Sequence, residues 1–210
     1  MILVVDAGNS RIKWAYAESD VDSPLREDHS GQAFYGSPNQ RAELLEKTLK
    51  TAWHSQPEPG RVVVGNVAGE GVETTIKAWV NRYWRLQPEF VRSQGEGWGV
   101  TNAYKCPSEL GVDRWLGMVA ARSKTKEACG IVDAGTAVTI DGFTNQGQHI
   151  GGVIMPGLSL MRRSLLEHTS EILAAEGPQT LGLATDTATA VVSGTSFALV
   201  AGIKRALEIL

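Results

Sequence analysis

Two stretches of this chain repeat one plan: Ile2-Leu3-Val4-Val5 runs into Asp6-Ala7-Gly8, and Ile131-Val132 runs into Asp133-Ala134-Gly135. Consecutive β-favouring apolar residues suit a strand buried on both faces in the middle of an α/β sheet. A carboxylate stands at its end. Glycine then permits a tight turn and a close backbone approach to a ligand, and Asn9 and Ser10 add polar groups at the tip. Beyond the turn Ile12, Trp14 and Tyr16 alternate with Arg11, Lys13 and Ala15, the period of a hairpin partner. In the second copy Val138 and Ile140 alternate with Thr139 and Asp141. Asp-x-Gly after one strand also serves ordinary turns, so it is the pairing that carries weight. Two such hairpins facing each other would set two carboxylates and two sets of backbone N–H groups around one cleft, which suits cation-bound phosphates. The repetition predicts an α/β protein of two similar halves, residues 1–127 and 128–210.

Composition narrows the class. A chain of 210 residues with 42% hydrophobic content can bury a real core. The net charge of −3 and the lack of any dense Lys/Arg cluster exclude a general nucleic-acid footprint, so direct nucleic-acid binding is not expected. Cys106 and Cys129 are far apart and outside any CxxC, which argues for reduced thiols rather than zinc or disulfides. The N-terminus lacks a signal-peptide pattern and no run approaches the ~20 apolar residues of a membrane span. A cytoplasmic protein without membrane contact is expected. His29, His54, His149 and His168 share no metal-ligating spacing and read as ordinary polar residues.

Between the repeats, helices alternate with strands. Residues 17–32, with Pro24 and Gly31, read as an exposed excursion ending in an edge strand at Ala33-Phe34-Tyr35. Asn39 can cap a helix over 40–53 whose Leu44, Leu45, Leu49 and Trp53 share a face. A strand over 61–66 follows, then a helix over 73–83 turning Ile76, Trp79, Val80 and Tyr83 inward, then a strand over 86–91. Residues 95–114 read as a long ordered loop, the kind that carries sites, leading into a helix. On its residues alone Asp113 complements that helix's dipole, and Arg114 pairs with a surface acid. A strand over 149–155 turns at Gly151-Gly152, a helix starts at Leu158, and Arg162 and Arg163 are solvated or aimed at an anion. Pro178 breaks the chain, and Thr185 or Thr187 opens a final helix containing Val191, Val192, Phe197, Val200 and Ile203.

Several blocks together resemble the type III pantothenate kinases, members of the acetate kinase, sugar kinase and actin superfamily. Asp6-Ala7-Gly8-Asn9-Ser10-Arg11-Ile12-Lys13-Trp14 is similar to that family's first phosphate motif, with Ser10 where threonine is commoner. Asn102-Ala103-Tyr104, Pro107 and Leu110-Gly111-Val112-Asp113-Arg114-Trp115 resemble its pantothenate and base motif, and Asp133-Ala134-Gly135-Thr136-Ala137 its second phosphate motif. Gly151-Gly152, Pro156-Gly157 and Thr187 to Gly194 are similar to later blocks.

The resemblance implies duplicated actin-like, acetate-kinase-like (ribonuclease H-like) domains and ATP-dependent phosphorylation of pantothenate. It replaces the dipole role of Asp113 with that of general base, and assigns Tyr104, Gly111, Arg114 and Thr187 to the acid substrate. Asp6, Gly8, Asn9, Ser10, Arg11, Lys13, Gly135 and Thr136 would bind nucleotide phosphates, with Asp6 a candidate magnesium ligand and Asp133 the ligand of a monovalent cation, K+ or NH4+. It implies a homodimer with pantothenate near the interface. Relatives continue with a strand, a Thr-Gly-Gly turn near the adenosine and closing helices, so the second half is expected to lack its C-terminal strand and helices. The rival readings are a noncatalytic regulator, since the family includes proteins named Bvg accessory factor, and a kinase of the same fold for another small hydroxy acid.

Overall fold

The computed structural model describes residues 1–18, 25–35, 41–54, 56–175, 177 and 182–210. They form two compact units, Met1–Gln94 with Ser108–Leu116 and Gly95–Pro107 with Gly117–Leu210. Both mix strands and helices.

In the first unit the chain runs β1 (Ile2–Ala7), β2 (Arg11–Ala17), β3 (Arg26–Phe34), α1 (Arg41–Trp53), β4 (Arg61–Asn66), α2 (Glu70–Trp84) and β5 (Glu89–Phe90). The sheet order is β3-β2-β1-β4-β5. The meander β1-β2-β3 is antiparallel, whereas β4 joins β1 in parallel after the α1 crossover and β5 joins β4 in parallel after α2. The apolar start of the chain occupies the central strand, but its burial alternates: Leu3, Val5 and Ala7 are buried, whereas Ile2 and Val4 on the other face are only partly covered. Leu3, Ala7, Ile12, Tyr16, Val62 and Val64 are almost wholly buried. Against them lies an aromatic cluster in which Trp53 stacks on Trp84 at 5.5 Å and meets Trp14 and Trp79 edge-on.

Several expectations change in detail. The edge strand is present but begins at Arg26, within the stretch read as an excursion. In α2 the residue that turns inward is Trp84, four after Val80, while Tyr83 is left partly exposed. The last strand shrinks to Glu89–Phe90, pinned to β4 by the two-pronged Arg61–Glu89 ion pair at 2.6 Å. Asn39, Pro24 and Pro178 lie outside the described residues.

The second unit opens with a hairpin of β6 (Glu96–Gly97) and β7 (Val100–Thr101), so the stretch expected as loop is ordered by pairing. Helix α3 (Val112–Lys124) starts in the first unit and finishes here. Strands β8 (Cys129–Ala134), β9 (Ala137–Phe143) and β10 (His149–Pro156) form an antiparallel sheet in the order β10-β9-β8, followed by α4 (Leu158–His168) and α5 (Thr187–Ile209). Gly151-Gly152 is no turn: the register shifts between His149 and Gly151, and Gly151 takes φ +111°, a bulge that only glycine adopts without strain.

Helix α5 packs on α4, β9 and β10. Its Leu207 and the following Leu210 rest where Gly130 and Gly142 carry no side chain. With 23 residues and a mean hydropathy of 1.3 in its most apolar window, α5 is long and apolar enough to cross a bilayer by length and composition, although it holds no uninterrupted apolar run of that length. Val191, Val192, Ser193 and Thr195 are buried, whereas Phe197 and Val200 are exposed.

Candidate functional site

The first acidic turn is built by the β1-β2 register, which pairs Asp6 with Lys13 and Ala7 with Ile12 and leaves Gly8-Asn9-Ser10-Arg11 as the loop. The Gly8 N–H closes it onto the Arg11 carbonyl at 3.0 Å. Asp6 and Lys13 are both more than half exposed and 3.7 Å apart. The four carbonyls from Ala7 to Ser10 are all taken up by donors outside the turn. Ala7 accepts from the Val67 N–H, Gly8 from the Tyr35 hydroxyl, Asn9 from the Arg41 guanidinium and Ser10 from the Tyr35 N–H. A turn whose carbonyl dipoles are turned inward suits an anion at its amide side.

Tyr35 and Arg41 went unnoticed in the sequence because both act on backbone oxygens, which no residue pattern marks. Burial pushes the Tyr35 hydroxyl up to about 12, opposed by the Arg41 charge and reinforced by the Asp6 carboxylate. Arg41 is buried and also donates to the Ala68 carbonyl at 3.0 Å. Hydrogen bonds from a charged donor contribute about 1.5–3 kcal/mol, and removing the donor leaves two part-buried carbonyls without it. Arg41→Met, which keeps the stem and drops the guanidinium, is expected to lower the unfolding free energy by about 2 kcal/mol in urea denaturation.

Asn66 at the end of β4 shapes the neighbouring turn, its Oδ1 accepting from Ala68 N–H at 2.9 Å and its Nδ2 donating to Gly69 O at 3.0 Å. Asp113 lies in the first turn of α3 and its Oδ1 accepts from the Arg114 N–H at 2.8 Å. A Cβ at 111 would stand 2.5 Å from Asp113 Oδ1, so a larger residue there would push that carboxylate from its present position. Leu116, one turn on, lies against Gly65, and Gly65 is the register partner of Asp6. Residues three apart share a helix face, so Asp113 is on the side of α3 that meets the Asp6 end of the sheet. Arg114 is buried.

In the second unit, Gly135 N–H closes the other acidic turn onto the Ala137 carbonyl at 3.0 Å. Asp133 pairs with Thr139 and Ala134 with Val138, so this loop is one residue shorter than the first. The Gly157 N–H at the head of α4 holds the Thr136 carbonyl at 2.9 Å. Asp133, Gly135 and Thr136 are exposed. Thr187 is the first residue of α5, whose cap is Asp186 rather than Thr185: Asp186 Oδ1 accepts from the Thr189 N–H at 2.8 Å, and this bond holds the carboxyl below the usual range. Thr187 helps line a groove of about 750 Å³ between α4 and α5, otherwise formed largely by apolar groups such as Leu160, Met161 and Val191.

Arg163 is exposed and near Glu167, but Arg162 is not simply solvated, since it donates to Thr195 at 3.1 Å and reaches Ser196 at 3.5 Å. His149 is likewise no ordinary polar residue. It is buried with Asp141, Nε2 to Oδ1 3.0 Å, beneath the Tyr104 ring. Among the described residues no cluster of three or more His, Cys, Asp or Glu side chains could enclose a metal ion.

These turns sit in a chain whose residues 2–208 match the family model for type III pantothenate kinase. The chain belongs to the type III pantothenate kinase family. A type III pantothenate kinase of Nitrosococcus oceani is 39% identical over 98% of this chain and 76% of its own length. One from Paraburkholderia phymatum is 40% identical over 86% of this chain and 63% of its own. Among solved structures, a Campylobacter jejuni protein described under the Baf family of transcriptional activators superposes with a TM-score of 0.57 at 20% identity, over 97% of this chain and 78% of that one. A Sinorhizobium meliloti protein described as a 2-dehydro-3-deoxygalactonokinase gives 0.51 at 13% identity, over 98% and 82%. These two likenesses show a shared fold. The curated relatives favour an enzyme over a noncatalytic accessory factor.

Proposed function

We propose that this chain is a pantothenate kinase, transferring the γ-phosphoryl group of ATP to the primary hydroxyl of pantothenate to give 4′-phosphopantothenate, the first step of coenzyme A synthesis. The observation that carries the proposal is the family match over residues 2–208. In the mechanism Asp113 accepts the hydroxyl proton as that oxygen forms its bond to the γ-phosphorus and the bond to the bridging oxygen breaks, leaving ADP. Phosphoryl transfer asks the protein chiefly for positioning and charge stabilisation. Gly111, Arg114, Tyr104 and Thr187 hold the acid substrate. Asp6, Gly8, Asn9, Ser10, Arg11, Lys13, Gly135 and Thr136 hold the nucleotide phosphates.

The donor set fits a magnesium ion held jointly with phosphates. Mg2+ is usually bound by one or two carboxylates plus substrate oxygens rather than by an all-protein cage, and Asp6 is an exposed carboxylate at a strand end. When bound, the ion neutralises charge on the phosphates. Asp133, exposed at the corresponding point of the second hairpin, would hold the monovalent cation.

The proposal keeps the two-half plan, residues 1–127 and 128–210, supported by an antiparallel hairpin with Asp-Ala-Gly at its turn in each. It also keeps a cytoplasmic homodimer, to which the apolar groove beside Thr187 offers a face.

A coupled assay of ADP release with pantothenate and a panel of other hydroxy acids tests the substrate. Turnover with pantothenate is expected; turnover only with another acid would replace the substrate, and none would return the accessory-factor reading. The same assay in potassium against sodium chloride at fixed ionic strength is expected to show faster turnover in potassium, a difference that Asp133→Asn removes. Equal rates in the unmodified protein would refute the cation site.

A further inference from the structure

We infer that His149 and Asp141 form a positioning pair that holds the Tyr104 ring and the backbone of its loop, and so set the affinity for the acid substrate. The inference rests on the reading of Tyr104 as a substrate residue. Its geometry starts at the β10 bulge. Register pairs His149 with Phe143 but Gly151 with Gly142, so Ile150 is the extra residue and is half exposed while His149 is buried. Bulges commonly re-aim a side chain in this way.

The imidazole then faces Asp141 on β9, both side chains almost fully buried, Nε2 to Oδ1 3.0 Å. The other ring nitrogen faces the loop: the Ala103 N–H points at Nδ1 at 3.4 Å. A backbone N–H can only donate, so Nδ1 accepts and the ring proton sits on Nε2, donated to Asp141. One carboxylate thereby fixes the tautomer that the loop backbone requires. Over the same ring lies Tyr104, with centroids 6.0 Å apart and planes within 11°.

The remaining bonds leave the loop little freedom elsewhere. Tyr104 N–H donates to Asn102 Oδ1 at 2.9 Å, Asn102 N–H to Gly95 O at 2.8 Å, and Thr101 N–H to Gly147 O at 2.9 Å. On the side of the ring that faces β10, it is His149 that stacks against Tyr104.

The test combines kinetics with a readout independent of substrate. In His149→Ala the KM for pantothenate is expected to rise about tenfold, the range of coupling between touching residues, with the KM for ATP within about twofold of the unmodified protein. The effect should vanish when Tyr104 is already alanine. His149→Gln, which can still donate to Asp141 and accept from Ala103 but offers no ring face, should fall between. Without substrate, His149→Ala should shift the Tyr104 ring resonances and speed hydrogen exchange at the Ala103 and Tyr104 amides. Unchanged resonances and exchange in both His149 variants would overturn the pair's positioning role. If those signals change but Tyr104→Ala leaves the pantothenate KM unaltered, the positioning stands and the substrate reading of Tyr104 falls, and with it the claim on affinity.

Discussion

Asp113→Asn is expected to lower kcat by about 10²–10⁴, the usual contribution of a general base, while the KM for pantothenate stays near its original value. The substitution is well suited to the question because the contacts of Asp113 survive it. The Oδ1 that accepts from the Arg114 N–H at 2.8 Å has a counterpart in the asparagine amide, and the room left by Gly111 accommodates either side chain. What the amide cannot do is take up the hydroxyl proton. Some stability is lost as well, since a carboxylate in the first turn of α3 complements the helix dipole by about 0.3–1 kcal/mol. Rapid-quench and steady-state rates, set beside a denaturation curve, separate the two. A variant with unchanged kcat and a small loss of stability would leave Asp113 a residue of the helix end and nothing more.

Gly157→Ala should damage the second acidic turn from outside it. Glycine at 157 has φ −72°, an angle any residue adopts, so the backbone there does not need it. The need is space. A methyl group would press into the Gly135 carbonyl and stand 2.8 Å from that of Thr136, both fixed backbone that no rotamer change can move aside. Either α4 or the turn must shift. Overpacking of this kind costs about 1–3 kcal/mol, and the KM for ATP should rise with it because Gly135 and Thr136 are proposed to hold phosphate. Gly117→Ala in α3 is the control: its new methyl would find Ile131 at 3.8 Å, ordinary contact, and alanine is worth about 0.5–1 kcal/mol over glycine within a helix. A Gly157→Ala protein as stable and as tight for ATP as the control would show that the α4 junction does not shape the turn.

The parts legible in the sequence were those in which side-chain pattern and backbone demand coincide. The β1-β2 hairpin shows itself through alternation around Asp6-Ala7-Gly8, and the face of α1 through Leu45, Leu49 and Trp53. Where the determinant was backbone, the pattern failed. The Gly151 bulge looks like a turn because glycine with positive φ serves both. Tyr35 and Arg41 bond to main-chain oxygens of a distant loop, and nothing in their own surroundings announces it. His149 and Asp141 are eight residues apart, a spacing without meaning until the β9-β10 register brings them side by side. Trp84 displaced Tyr83 because four-residue steps from Val72, Ile76 and Val80 lead to it.

The inward bonding of the four carbonyls from Ala7 to Ser10 has a consequence for how selectivity for anions arises. The oxygens are held by Tyr35, beyond β3, by Arg41, opening α1, and by the Val67 N–H, beyond β4. The residues of the turn, cut out as an isolated hairpin, would be free to present those oxygens outward and repel a phosphate as readily as bind one. Its polarity is therefore a tertiary property, acquired only after β4 has crossed over to lie beside β1, and a chain caught before that step in folding carries the turn without the carbonyl arrangement proposed here to receive phosphate.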